Sequence, residues 1–587
     1  MIRDKDLVSI QEARAKIEKA HAAFQKLRHF TQEQIDAVID RMAATARAHA
    51  ERLARLAVEE TGYGNVRDKT AKNLLCSDLL HQAIRPLKTV GIIREDAANR
   101  VLEIAEPVGV VAAILPTTNP TSTAIYKILI ALKGRNTIVL SPHPRAFQCT
   151  CETAGLLYKA ALEAGAPEDV IQCLEHPTLD ATNEIMRHRR TGVILSTGGQ
   201  GIVRAAYSSG KPALGVGPGN VPVLLEHSAD IPAAVRMVVE GKSFDYGTVC
   251  SSEQALIFEE SVRDQVLAAL KSNRAFLCDA AQQAALQKLL LTPEFRINPA
   301  CVGQAATRIA QMAGFSVPAE TSILVVQPGG VGKEHPLSAE KLSPVLALFP
   351  VKDFEEGCRI AEGILRFGGL GHTCVIFSND DARIREFGLR IPAMRVLVNT
   401  SAPQGSTGIT TNVFPSMTLG CGAMAGNVTS DNIGPLHLIN IKRVAWHVRD
   451  AATAFTSAEG KAYFQPTEPR PTEPRPSGSG RPFVADAVHG YLASRGIDLA
   501  APPPPPAPAP SAGVVDRFLA ARPAAPPPAP AASNPLPPAP PVEIVPFVAE
   551  SDVRQARLQG RKIYISSKTI VTPAARDIGA GVLVQTD

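Results

Sequence analysis

Apolar residues return at helical spacing near the start of the chain. Val8, Ala13, Ile17, Ala20, Phe24 and Leu27 fall on one stripe, which predicts an amphipathic helix. A second periodic run extends from Ile35 to Val58, and Thr31 with Gln34 forms the capping-box pattern that would open it. From about residue 101 the texture changes. VLEIAEP alternates polar and apolar positions, and Val108 to Leu115 then runs apolar, as a strand buried on both faces does. NTIVLSP (136–142) predicts a strand, Phe147–Glu163 a helix, and GVILST (192–197) a strand ending in a Gly-Gly turn. VPVLLE (221–226) and QALIFE (254–259) continue the alternation, and ILVVQ and RVLVN announce further α/β elements between about 320 and 435. Strands alternating with helices in this way predict parallel sheets with crossover helices.

Near residue 465 the globular pattern stops. PTEPRPTEPRPSGSG is a short tandem repeat, and APPPPPAPAP (501–510) and PAAPPPAPAASNPLPPAPP (523–541) are Pro/Ala tracts that build no packed core. Two islands keep helical spacing, FVADAVHGYLASRGIDL (483–499) and GVVDRFLAA (513–521). The last stretch, from about Val548, pairs a helical start with the strand-like KIYISSKTIV (562–571).

Composition narrows the class of protein. A length of 587 residues suggests three or four units at about 150 residues per domain. The net charge of +5 is small, and no basic patch interleaved with aromatics is present, which argues against a nucleic-acid partner. No stretch approaches a membrane-spanning length, and the N-terminus has no apolar signal region, so the expectation is a soluble, cytoplasmic protein. Ten scattered cysteines without a C-x-x-C pair fit a reducing compartment and no structural zinc.

Candidate chemistry centres on SFDYGTVCSSEQ (243–254), where Cys250 follows a Gly-containing turn and precedes an apolar strand. A thiol there is either an inert buried side chain or a nucleophile that reaches a cleft. Asn119, before Pro120, reads on its own as a turn residue. Ser196, Gly198 and Gly199 end a strand ahead of a helix, where backbone N–H groups can approach a pyrophosphate. His372, in RFGGLGHTC, is either a hydrogen-bonded structural histidine or a group that positions or deprotonates a thiol. Cys301, Cys374 and Cys421 read as buried structural thiols, and no His/Asp/Glu cluster has convincing metal-ligand spacing.

Several long segments, in order, carry a resemblance to a known family. They are PTTNPTSTAIYKILIALKGRNTIVLSPHPRA (116–146), STGGQGIVRAAYSSGKPALGVGPGNVP (196–222), the Cys250 segment, EKLSPVL (340–346) and GCGAMAGNVTSDNIGPLHLIN (421–440). Across roughly residues 5–450 the chain resembles the CoA-acylating branch of the aldehyde dehydrogenase superfamily, including its microcompartment members. The resemblance implies an α/β fold with a Rossmann-type cofactor domain (1–222, with an arm segment at about 94–108), a catalytic domain (223–435) and an oligomerisation segment (436–464). A Pro-rich linker (465–547) and a small C-terminal segment (548–587) would follow. It implies that Cys250 is the nucleophile and that the Asn119 amide and the Cys250 backbone N–H hold the oxyanion. Ser196, Gly198, Gly199 and Pro142 would contact NAD, Glu340 would hold the nicotinamide ribose, and coenzyme A would be the acyl acceptor. Hydrolytic members carry a water-activating glutamate in an E-L-G-G-K motif, and here Val216 stands at that place.

The same resemblance implies propionaldehyde as the first substrate choice, with acetaldehyde next, and a homodimer or homotetramer paired through 99–107 and 437–446. The islands at 483–499 and 513–521 resemble encapsulation peptides, which implies microcompartment shell proteins as partners. The competing readings are a hydrolytic aldehyde dehydrogenase and a non-catalytic scaffold.

Overall fold

The computed structural model describes residues 4–292, 296–464, 545, 547–567 and 569–586. The chain divides into two compact units, Met1–Thr467 and Glu468–Asp587. The two amphipathic islands and the Pro/Ala tracts lie outside the described residues.

In the first unit, Asp4 caps helix Lys5–Leu27 by accepting from the N–H groups of Asp6 and Leu7. Its predicted stripe is buried at Ala13, Ile17, Ala20 and Leu27. The Thr31–Gln34 capping box opens Gln32–Ala48. The run from Ile35 to Val58 is two helices, because the backbone breaks at His49 (φ −109°, ψ 12°) and restarts as Ala50–Thr61. One non-helical residue turns the axis without interrupting the apolar period, so periodicity alone conceals the break. Helix Val66–Leu74 follows, with Lys69, Lys72 and Asn73 turned inward, and passes through a π turn at Leu75–Leu79.

Strands β1 (Gly91–Asp96) and β2 (Val101–Pro107) form an antiparallel pair. The buried run becomes β3 (Val110–Ile114), joined by β4 (Thr137–Ser141), β5 (Ile171–Cys173), β6 (Thr191–Thr197) and β7 (Ala213–Val216). Their order is β5-β4-β3-β6-β7, and every pairing is parallel. The chain leaves β3 toward β4 on one side and returns to β6 on the other, so a crevice opens beyond the strand ends between β3 and β6. The predicted helix Phe147–Glu163 is present with those bounds.

The second sheet takes β8 (Val221–Leu225), β9 (Glu253–Glu259), β10 (Ala275–Leu277), β11 (Ile323–Val326), β12 (Val345–Val351), β13 (Gly371–Phe377) and β14 (Ala393–Val398). Its order is β10-β11-β12-β9-β8-β13-β14, again parallel throughout. All residues of β8, β9 and β13 are buried, which explains their near-continuous apolar sequences. Strand β15 (Ile439–Ala445) returns to pair antiparallel with β2, completing a three-stranded arm.

The second unit holds helix Glu550–Leu558 and helix Pro573–Ile578 over a small core of Val548, Val553, Ala556, Ala575 and Val582. KIYISSKTIV is not one strand. Ile563–Ile565 pairs with Leu583–Gln585, and Ile570–Val571 pairs with Phe547–Val548.

Candidate active site

The connection between the two sheets organises the site. β7 ends at the buried Val216, and Gly217, Pro218, Gly219 and Asn220 lead directly into β8. Asn220 fixes this bend by donating to the carbonyls of Ser338 (3.0 Å) and Ile364 (3.2 Å). Gly219 is sterically required: a Cβ there would lie 2.2 Å from the Cys250 carbonyl oxygen and 3.2 Å from the His372 ring. One glycine therefore lies between the Cys250 backbone and His372.

Cys250 precedes β9 and is reached through a strained turn. Asp245 (φ 46°), Tyr246 (φ 53°) and Gly247 (φ 74°) are consecutive left-handed residues, an arrangement that costs non-glycine residues energy. Asp245 stabilises the turn through its contacts. Its N–H donates to Asp68 (2.8 Å), and its carboxylate accepts from the Asn65 N–H (2.9 Å), Lys69 Nζ (3.0 Å), Thr248 Oγ1 (2.5 Å) and Lys72 Nζ. Burial alone pushes the Asp245 pKa up, but Lys72 and Lys69 outweigh it and hold the carboxyl below its usual range.

Asn119 is the N-cap of helix Pro120–Lys133 yet makes no side-chain cap bond. Its Oδ1 instead accepts from Lys72 Nζ at 2.5 Å, and its Nδ2 donates to Thr118 Oγ1 at 3.1 Å. A turn role would leave the amide pointing at its own backbone. Here the amide is gripped from a helix 47 positions earlier in the chain.

His372 is buried at the start of β13. Its Nδ1 lies 3.0 Å from Thr373 Oγ1, and its Nε2 has no hydrogen-bond partner among the described residues. Burial, reinforced by Arg395, lowers its pKa to about 3, so the ring is neutral and one nitrogen can accept a hydrogen bond. Arg395, on β14, is itself buried and donates to the carbonyls of His372 (2.7 Å) and Gly420 (2.7 Å). Burial pushes the partly exposed Cys250 thiol up to about 12; Glu340 adds to this and Arg395 opposes it.

Glu340 is buried and accepts from the Gly219 N–H at 3.3 Å. Burial raises its pKa to about 8, against the opposing pull of Lys242 and Lys341. A carboxyl group thus stands near the Val216–Gly219 bend although none occurs in that stretch of sequence, and at neutral pH it is mainly protonated.

The crevice of the first sheet holds the remaining candidates. Ser196 is buried on β6, and its hydroxyl has no partner among the described residues. Gly198 and Gly199 follow the strand, and Gly199 caps helix Gln200–Tyr207 with nothing within 4 Å of its Cβ position. Pro142, also buried, follows β4. Open space at a helix N-terminus beside an unpaired hydroxyl suits a dinucleotide pyrophosphate. The structure thus clusters Cys250, His372 and Glu340 around Gly219 and links Asn119, through Lys72, to the Asp245–Gly247 turn. The four cofactor candidates sit on the strand ends of the first sheet.

Cys301, Cys374 and Cys421 are buried. Sequence spacing gave no sign of Lys69, Lys72, Asp245 or Arg395, nor of the 2.7 Å approach of Cys151 and Cys173. It also missed Glu226, His227 and Glu259, whose potential ligand atoms lie within 4.8 Å of one another. Glu226 is already bonded to the hydroxyls of Ser228 and Ser378.

The description "Aldehyde dehydrogenase family" matches residues 5–282. The chain is 51% identical to an acetylating aldehyde dehydrogenase from Geobacillus thermoglucosidasius, covering 76% of this chain and 99% of that one with a TM-score of 0.75. It is 43% identical over 454 residues to the bifunctional aldehyde-alcohol dehydrogenase of Escherichia coli (strain K12), covering 75% of this chain and 51% of that protein. The chain therefore spans about half the length of that curated relative. A propionaldehyde dehydrogenase from the fucose utilisation bacterial microcompartment of Clostridium phytofermentans is 29% identical, covering 74% of this chain and 97% of that one with a TM-score of 0.68. The chain belongs to the aldehyde dehydrogenase family, in its acylating branch.

Proposed function

We propose that the chain oxidises a short aliphatic aldehyde with NAD and transfers the acyl group from Cys250 to coenzyme A. The observation that carries this reading is the buried, apolar Val216 at the end of β7, where hydrolytic members place their base. The Cys250 thiol releases its proton to solvent and, as thiolate, adds to the aldehyde carbonyl, so that a carbon–sulfur bond forms as the oxygen becomes an oxyanion. The Asn119 amide and the Cys250 N–H receive that charge. Ser196, Gly198, Gly199, Pro142 and Glu340 would hold NAD, which when bound supplies the hydride acceptor. Cys250 is left as a thioester. The CoA thiol gives its proton to solvent and, as thiolate, attacks the thioester and expels the Cys250 thiolate, with the neutral His372 ring positioning the incoming sulfur. Identity to an acetylating enzyme favours acetaldehyde over the propionaldehyde that the sequence motifs suggested.

Around this chemistry, the exposed Ile92, Ile441, Val444 and Trp446 of the three-stranded arm support pairing with further copies into a homodimer or homotetramer. Residues 483–499 and 513–521 would dock on microcompartment shell proteins and place the enzyme inside such a compartment, a reading supported by the microcompartment relative.

Acetaldehyde and NAD should yield NADH only when CoA is present, with acyl-CoA as product. Cys250→Ala should abolish turnover while cofactor binding stays intact. Equal NADH with and without CoA, with free acid formed, would establish the hydrolytic alternative; no NADH under any condition would leave the scaffold.

The raised thiol pKa makes a second prediction. In the free enzyme, alkylation of the Cys250 peptide by iodoacetamide should accelerate about tenfold per pH unit between pH 7 and 10, because the thiolate fraction grows in that proportion below the pKa. A rate already on its plateau at pH 8, read by mass spectrometry, would contradict it.

Sedimentation velocity checks the arm: Ile441→Asp combined with Val444→Asp should shift the protein toward monomer, and an unchanged oligomer rejects the arm. A fluorescent reporter carrying residues 483–499 should co-purify with shells, whereas recovery no better than a scrambled peptide rejects the docking role.

A further inference from the structure

Lys72 lies on helix Val66–Leu74, far in sequence from every candidate catalytic residue, and its ammonium group is buried. It reaches Asn119 Oδ1 at 2.5 Å, Thr248 Oγ1 at 3.4 Å and Asp245 Oδ2. An ammonium group has three donors and no acceptor. Only the oxygen end of the Asn119 amide can satisfy it, so this contact decides which way the amide faces. The NH2 end is then turned outward, one N–H bonded to Thr118 and the other without a hydrogen bond among the described residues.

The same ammonium group grips the nucleophile turn. Asp245 stands five positions before Cys250 in a left-handed conformation that its buried contacts sustain. Lys69 shares that carboxylate and also donates to the Thr118 carbonyl at 2.9 Å, so the charge on Asp245 keeps a partner without Lys72. Lys69 makes no bond to the Asn119 side chain among the described residues. The division of labour is visible in the contacts: both lysines secure the turn, and Lys72 also bonds the amide.

We propose that Lys72 is a positioning residue that aims the Asn119 amide at the oxyanion formed on Cys250 and acts on the rate through Asn119. The assignment rests on the aldehyde-oxidising reading above. It differs from a purely structural ion pair in one measurable respect, the coupling between the two residues.

The experiment is a double-mutant cycle on the full chain with acetaldehyde, NAD and CoA, using Lys72→Met, Asn119→Ala and the double variant. Asn119→Ala should lower kcat about 100-fold, the typical loss for one oxyanion donor. Lys72→Met should lower kcat about tenfold or more through mispositioning, with the KM for NAD within about twofold of wild type. In the Asn119→Ala background the same Lys72 change should cost less than about threefold, since residues that act as a unit are non-additive. Losses that multiply overturn the assignment, as does a Lys72→Met enzyme with full kcat. If Lys72→Met gives no cooperative thermal transition, Asp245→Asn replaces it in the cycle and should show the same non-additivity; loss of the transition in both variants makes Lys72 a folding residue and overturns the proposal. A wild-type protein that forms no NADH from aldehyde defeats the underlying reading. A wild type that turns over with independent losses defeats only the role of Lys72.

Discussion

The Asp245 carboxylate, shared by two buried lysines, is the contact on which the site's geometry depends. Removing ions from water is expensive, and a buried pair repays that cost only when its geometry and remaining hydrogen bonds are well satisfied. Here the carboxylate accepts from four groups, drawn from the helix Val66–Leu74, the loop before it and its own turn. That density of contacts explains how two adjacent non-glycine residues persist at positive φ. It also explains Gly64, where a Cβ would lie 1.9 Å from Asp245 Oδ1. The turn is over-determined, and it places Cys250 at the entry to β9.

From that anchor the two sheets can be related. The first contributes the ends of β3 and β6, with Asn119 and the Ser196–Gly199 segment. The second contributes the starts of β8, β9 and β13, with Gly219, Cys250 and His372. The short Val216–Asn220 link carries the chain from one sheet to the other, so the groups proposed to bind cofactor and those proposed to react meet with little intervening loop. Arg395 closes the far side by tying the His372 carbonyl to the carbonyl of Gly420.

Much of the fold was legible because burial on both faces leaves continuous apolar runs, as in β3, β4, β8 and β9. The break at His49 was hidden because the apolar period continues through it. KIYISSKTIV read as one strand because its composition favours extension, while its two halves find different partners. In the site, the motif residues were legible from resemblance, but Lys72 was not. Its partner Asp245 lies 173 positions away, and a lysine in a helical segment rich in charge reads as a solvated face. Arg395 was equally invisible, since most of its bonds are to backbone carbonyls that no sequence pattern marks.

In the proposed reaction, the choice of acyl acceptor follows from which groups near Cys250 hold a proton at neutral pH. Water is a poor nucleophile toward a thioester unless a base removes its proton, and Val216 provides none. Glu340 reaches the same bend, but burial keeps it mainly protonated there, so it is a weak substitute. His372 is neutral, and a pKa of about 3 leaves it too weak a base to take a proton from either nucleophile. A thiol with an unperturbed pKa near 8.5 demands far less of a base than water does. On the proposed reading, CoA attacks through the thiolate it already forms in part near neutral pH, while hydrolysis lacks the base it requires. On that reading, selectivity for the thiol arises from a carboxylate replaced by valine and a second one held neutral.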